Sequence, residues 1–115
     1  MTDQQAIEAA VLDYFEGWFD GDSERMRRAL HPGLAKRSLH DGDLNEDTAS
    51  EMIAATAAGI GKSRDPGERG IEVQIVDVHG PIASAVVHST VYREYLHLGR
   101  THAGCRIVNA LWDFA

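Results

Sequence analysis

Between Pro81 and Leu98 the chain runs on without a residue that would break a strand, and after a Gly99–Gly104 turn region a second run extends from Cys105 to Phe114. Side chains alternate in character along both runs, which predicts long, curved antiparallel strands with one face buried. A sheet of this kind has to be covered, and the N-terminal half of the chain offers helices for the purpose. A bent sheet under helices encloses a conical pocket. What such a protein does then depends on the polar groups that line the cone.

Composition narrows the classes of partner. A chain of 115 residues makes one domain, able to bury about two-thirds of its unfolded surface without disulfide or metal staples. A net charge of −7 and a pI near 5.2 argue against nucleic acid and anionic membrane, both of which call for a basic surface. Arg25, Arg27 and Arg28 cluster, with Lys36 and Arg37 nearby, and beside Glu24 they read as a solvated helix face. Cys105 is the only cysteine, which excludes an internal disulfide and fits a reducing compartment. The opening Met1-Thr2-Asp3-Gln4-Gln5 has neither the basic region nor the apolar core of a signal peptide, and no stretch approaches membrane-spanning length. A cytoplasmic protein is expected.

Thr2 or Asp3 caps a first helix whose apolar positions Ile7, Ala10, Val11, Tyr14, Phe15 and Trp18 share one face. Gly21 ends it, and Asp22 or Ser23 caps a short second helix through Leu30, stopped by His31-Pro32-Gly33. Leu34 to Leu39 reads as a strand with Leu34, Lys36 and Ser38 on one side, and His40-Asp41-Gly42-Asp43 as a turn. Asp47 or Thr48 caps a third helix from Ala49 to about Ala58. Lys62 to Gly70 is a surface loop, Ile71 to Val78 a strand, His79-Gly80-Pro81 a turn, and two longer strands finish the chain. Helices first and antiparallel strands after make an α+β pattern in a single domain spanning 1–115.

Val11-Leu12-Asp13-Tyr14-Phe15-Glu16-Gly17-Trp18, followed by Gly21-Asp22 and Leu30-His31-Pro32, resembles the opening of the nuclear-transport-factor-2-like superfamily. Tyr95-Leu96-His97-Leu98 and Ile107-Val108-Asn109-Ala110-Leu111-Trp112 are similar to the closing strands of its SnoaL-like and lumazine-binding branch. The resemblance implies a cone of three N-terminal helices on a strongly curved antiparallel sheet, and a homodimer through the sheet's outer face. It does not imply one activity, because the superfamily includes isomerases, cyclases, dehydratases and members without known activity. The lumazine label is a family name rather than evidence for a ligand. Cys105 stands where the family usually has an aromatic residue; the missing bulk either widens a pocket or alters a subunit contact.

His31 and His88 are the candidate catalytic residues. His31 lies where the resemblance places the pocket mouth and suits a general acid or base, although a helix C-terminal histidine bonded to a free carbonyl explains it equally in physical terms. His88 falls on one strand face with Val86, Thr90 and Tyr92, the ring-bearing pair about 13 Å apart at roughly 3.3 Å per residue. If that face is concave, His88 is a base and Tyr92 a donor; if convex, both belong to a dimer interface. Tyr14, Trp18, Tyr92, Asn109 and Trp112 complete the candidate pocket, each also explicable as packing or as a structural hydrogen bond. Asp113 is a candidate elevated carboxylate and, near the chain end, equally an exposed one. The six histidines form no His-x-x-x-His pair and there is no Cys-x-x-Cys, so no metal site is expected; no phosphate or dinucleotide loop is present, so no cofactor is expected either.

Two functions remain open. One is a domain that binds a small apolar or aromatic metabolite in the cone. The other is a cofactor-independent isomerase, cyclase or dehydratase working by proton transfer, with a tyrosine donating to a developing oxyanion.

Overall fold

The computed structural model describes residues 1–62 and 65–115. Helix α1 (Asp3–Asp20) begins in a reciprocal cap: Gln5 N–H donates to Thr2 Oγ1 at 3.1 Å, and Thr2 N–H donates to Gln5 Oε1 at 2.9 Å. It ends where Gly21 takes φ 68°, a left-handed conformation that glycine adopts without a Cβ penalty. Helix α2 (Ser23–Ala29) is capped by Asp22, whose Oδ1 accepts from Arg25 N–H.

The arginines of α2 are not simply a solvated face. Arg25 Nε and Arg28 Nε donate to the two oxygens of Asp13 on α1 at 3.0 and 2.9 Å, and Arg25 Nη1 reaches Glu16 at 2.9 Å. These charge-assisted bonds fasten the two helices across their outer edge. Arg27, paired at 3.9 Å with Glu24 on its own helix, stays solvated.

The chain then enters strand β1 (Leu30–His40) with no loop between. Pro32 interrupts the ladder without ending the strand: β1 pairs with the last strand at Leu30, skips the His31–Leu34 stretch as a bulge and resumes pairing at Ala35. β2 (Asp43–Asp47) returns antiparallel to β1, so part of the expected turn is a short edge strand. Helix α3 (Ala49–Ala57) carries a second reciprocal cap, between Thr48 and Glu51. Of the expected Lys62–Gly70 loop, Ser63 and Arg64 lie outside the described residues, and Pro66–Glu68 forms one 3-10 turn.

Strands β3 (Glu72–His79), β4 (Ile82–His88), β5 (Tyr92–Thr101) and β6 (Gly104–Phe114) complete a six-stranded sheet in the order β2-β1-β6-β5-β4-β3. The final segment therefore holds three strands where two were expected. The run from Pro81 to Leu98 folds back at Ser89-Thr90-Val91. This turn has no glycine or proline; Ser89 Oγ accepts from the backbone N–H of Tyr92 at 2.9 Å and supplies the closure those residues usually give. The pairings are antiparallel except that of β1 with β6, which is parallel.

The helices cover one face of the sheet. Val11, Tyr14, Phe15 and Phe19 of α1 and Met26 of α2 meet Leu34, Val87, Leu96, Leu98 and Ile107 in the core. The result is an α+β cone with three helices on a mixed sheet. Among the described residues, no helix is long and apolar enough to cross a membrane.

The α1–α2 fastening has a measurable pH signature. Burial raises the Asp13 pKa, but the hydrogen bonds and charges of Arg28 and Arg25 outweigh it and hold the carboxyl below its ordinary value. A depressed folded-state pKa stabilises the fold above the unfolded value of about 3.9, and that stabilisation is lost as pH falls through the folded value. Asp13→Asn is expected to melt at lower temperature than the parent at neutral pH, and the gap should close in strong acid. Thermal unfolding of both proteins across that range checks this; a gap that does not depend on pH contradicts it.

Candidate functional site

Strand register decides which side chains enter the cone. Cross-strand partners share a face, so Val87, Glu94, Trp112 and Ser38 form one inward row across β4, β5, β6 and β1. Ala85, Leu96, Ala110, Lys36 and Asp47 form the next, extending to β2. Three charged residues, Glu94 in one row and Lys36 and Asp47 in the next, thus occupy adjacent rows whose other members are largely apolar. Helix α1 lies over them and brings Tyr14 between Lys36 and Glu94.

Lys36, Tyr14 and Glu94 make a chain. Lys36 Nζ donates to Tyr14 Oη at 2.5 Å, and the Tyr14 hydroxyl donates to Glu94 Oε1 at 2.7 Å. Lys36, Tyr14 and Glu94 are 6%, 2% and 3% exposed, so the whole chain lies in the interior. Three aromatic rings surround the ammonium, with Nζ 5.0 Å from the ring centre of Tyr14, 5.3 Å from Trp112 and 6.0 Å from Trp18.

Burial acts on all three groups. It pushes the Lys36 amine below its ordinary pKa against the opposing pull of Glu94 and Asp47. It raises the Glu94 carboxyl against the opposing effects of Lys36 and the Tyr14 hydrogen bond. It also lifts Tyr14 well above the usual phenol range, with the Glu94 charge adding to the rise. Lysine and glutamate are therefore drawn toward each other in proton affinity.

A cavity of about 70 Å³ opens beside this chain, bounded by Tyr14, Phe15 and Trp18 of α1, Met52 of α3, and Lys36, Asp47, Tyr92, Glu94 and Trp112 of the sheet. Pockets for drug-sized molecules run to about 300–1,000 Å³, so side chains already fill most of this cone. Trp18 Nε1 donates to Tyr92 Oη at 3.0 Å, whereas the buried Trp112 Nε1 has no hydrogen-bond partner among the described residues. The backbone of Gly61 lies flat on the Trp18 indole, where a β-carbon would overlap the ring.

The expected pocket residues divide. Tyr14, Trp18, Tyr92 and Trp112 line the cavity. Asn109 is on the outer face, its Nδ2 3.2 Å from His97 Nδ1, because Val108 forms a bulge that separates Asn109 from the inward Ile107. His88 also faces outward, paired with Arg93, while its neighbour Val87 pairs with Glu94 inside. The expectation that His88 shares a face with Tyr92 fails because the Ser89–Val91 turn resets the alternation. His31 sits in the β1 bulge, where its Nδ1 accepts from Gly33 N–H at 2.9 Å, and it does not border the cavity. Asp113 is exposed and 3.3 Å from His40 Nδ1.

Sequence reasoning missed Lys36 and Glu94. Their signal was phase: Lys36 alternates in step with Leu34 and Ser38, and Glu94 with Leu96 and Leu98. Cys105 borders a different cleft, of about 220 Å³, between the start of α1 and the β3–β4 turn. That cleft is the roomier of the two, but the ion pair at its rim, Asp3 with Arg100, is solvent-exposed. Lys36 and Glu94, a buried cation and a buried carboxylate joined through one hydroxyl, both border the cone cavity.

The architecture is that of nuclear-transport-factor-2-like proteins. An NTF2-like protein of unknown function from Silicibacter pomeroyi superposes with a TM-score of 0.75 at 21% identity, covering 100% of both chains. Another, from Shewanella baltica, gives 0.75 at 17% identity over 100% of this chain and 98% of that one. A domain of unknown function with a cystatin-like fold from Nostoc punctiforme gives 0.67 at 14% identity over 98% and 77%. No curated protein matches. The model of the family described as "Putative lumazine-binding" matches residues 2–113, and the chain belongs to that family.

The contact of Gly61 with Trp18 is open to test. Gly61→Ala should displace the indole from Tyr92, costing about 1–3 kcal/mol of stability as overpacking does. Chemical denaturation and the tryptophan emission spectrum check it; an unchanged midpoint and spectrum would sink the claim that this backbone sets the Trp18 position.

Proposed function

We propose that this chain is a small-molecule-binding domain whose ligand occupies the cone beside Lys36. The carrying observation is the pairing of a buried lysine with an unpartnered indole N–H on one cavity wall. Among the described residues, Tyr14 accepts one proton of the Lys36 ammonium and no side chain or backbone group accepts the others, and Trp112 Nε1 has no acceptor. Buried donors without partners are destabilising, so an acceptor atom supplied by a ligand would remove that deficit.

Charge favours a neutral acceptor. Lys36 is already balanced by Glu94, and Asp47 borders the same space, so an anion would enter against surplus negative charge. The ligand is therefore a small molecule, apolar over most of its surface, with a carbonyl-type oxygen directed at Lys36 and Trp112. A fused bicyclic ring such as a lumazine would fit only if Trp18 or Trp112 swung aside.

Because Trp18 and Trp112 line the cavity, their fluorescence reports occupancy. Acetamide is expected to change it saturably and acetate, at neutral pH, much less. Trp112→Phe, which removes the free N–H, should weaken acetamide several-fold. No saturable response to acetamide would count against the reading.

A second reading is supported by the raised Glu94 carboxyl next to a donor pair. In a cofactor-independent isomerase, cyclase or dehydratase, Glu94 would move a proton while Lys36 and the Trp112 indole N–H stabilise the developing oxyanion.

We also propose a homodimer through the outer sheet face, where Leu39, Tyr95 and Leu111 are 47%, 50% and 44% exposed. Leu111→Arg should shift the sedimentation coefficient from dimer to monomer. A parent protein that is already monomeric at high concentration would end this proposal.

A further inference from the structure

Lys36 and Lys62 are the only lysines among eleven basic residues. Lys62 is exposed, and Lys36 is inside the cone. A lysine is a poor choice for a buried structural cation, since arginine holds its charge and offers a fixed fork of donors. What lysine offers instead is an amine that can become neutral and nucleophilic.

The hydrogen bonds provide the route. Lys36 Nζ can pass a proton to Tyr14 Oη as Tyr14 passes its own to Glu94, since donor and acceptor are already aligned in that order. One such shift leaves a neutral amine and a neutral carboxylic acid with no change in total charge. The lowered Lys36 and raised Glu94 affinities both lean toward that form. The amine then sits on a cavity wall, buried against the rings of Trp18 and Trp112.

We propose that Lys36 captures small aldehydes or ketones in the cone as an imine. This rests on the reading of the cone as a binding site and adds a covalent step to it. The Nζ lone pair attacks the carbonyl carbon, a C–N bond forms, and the C=O π pair moves to oxygen. A proton transferred from nitrogen to that oxygen gives the neutral carbinolamine. Glu94 then returns its proton through Tyr14 to the hydroxyl, the nitrogen lone pair forms the C=N bond as the C–O bond breaks, and water leaves with the C–O pair. The products are a protonated imine on Lys36, a Glu94 carboxylate and one water. Protons and charge balance, and the buried ion pair is restored. Trp112 Nε1–H supplies a donor for the carbonyl oxygen on entry.

The test is selective reductive trapping. The protein is exposed briefly to dilute acetaldehyde with sodium cyanoborohydride, which reduces an imine to a stable secondary amine, and the adduct is mapped by peptide mass spectrometry. Lys36 is expected to be labelled at least about tenfold faster than Lys62 or the α-amino group, against the order that exposure alone dictates. Glu94→Gln should slow labelling at Lys36 and leave Lys62 unchanged; if that variant does not fold, the site ratio in the parent protein still decides. Labelling of Lys62 or the α-amino group ahead of Lys36 overturns the proposal. If acetamide still quenches tryptophan fluorescence in that case, the imine fails while the binding site stands. If acetamide also has no effect, both fall.

Discussion

Taking a lysine ammonium out of water costs several kcal/mol even after the protein relaxes around it, and a neighbouring carboxylate offsets that cost only when geometry and hydrogen bonding are good. In this fold the requirement falls on Lys36. It is met by three elements far apart in sequence: β1 carries the amine, α1 the tyrosine that receives its proton, and β5 the glutamate at the end of the chain of bonds. None of the three groups is at ease alone in the interior. The helix must therefore sit on the sheet at one height, and the sheet must keep one register, for any of them to be tolerated.

A structural role does not by itself account for such an arrangement. Well-packed apolar side chains in place of a buried ion pair are often neutral or stabilising. The retained charges, the small cavity beside them and the indole N–H without an acceptor fit together if something from outside is meant to complete the set. The aromatic collar around it, with Tyr92 stacked on Phe19 and Phe114 and edge-on to Trp112, surrounds the charges with weakly polar surface, where electrostatic interactions are strengthened.

Local features of the fold were legible in the sequence. Thr2, Asp22 and Thr48 act as caps, Gly21 ends the first helix, and the α1 face from Ile7 to Trp18 is buried or half-buried as its spacing implies. Features set by distant partners were not. No local pattern announces that β1 will run parallel to β6, because that pairing joins segments separated by most of the chain. The Ser89-Thr90-Val91 turn was hidden for a different reason: its residues favour strands, and it closes through a serine hydroxyl. Missing it placed His88 on the same face as Tyr92. Lys36 and Glu94 were visible only as charges in phase with leucines, a pattern overridden by the habit of assigning charge to the surface.

The same turn carries a consequence for how this chain can diverge. Surface connections ordinarily absorb insertions and deletions freely. Here the link between β4 and β5 also counts out the alternation that turns Glu94 inward and Arg93 outward. A residue added after Ser89 and absorbed by sliding β5 one position against β4 and β6, rather than by a longer turn, would exchange those two side chains and present a second cation to Lys36 in place of its counter-charge. Strand register across this link is thus a determinant of interior chemistry, and an insertion leaves the cone unchanged only when the turn alone absorbs it.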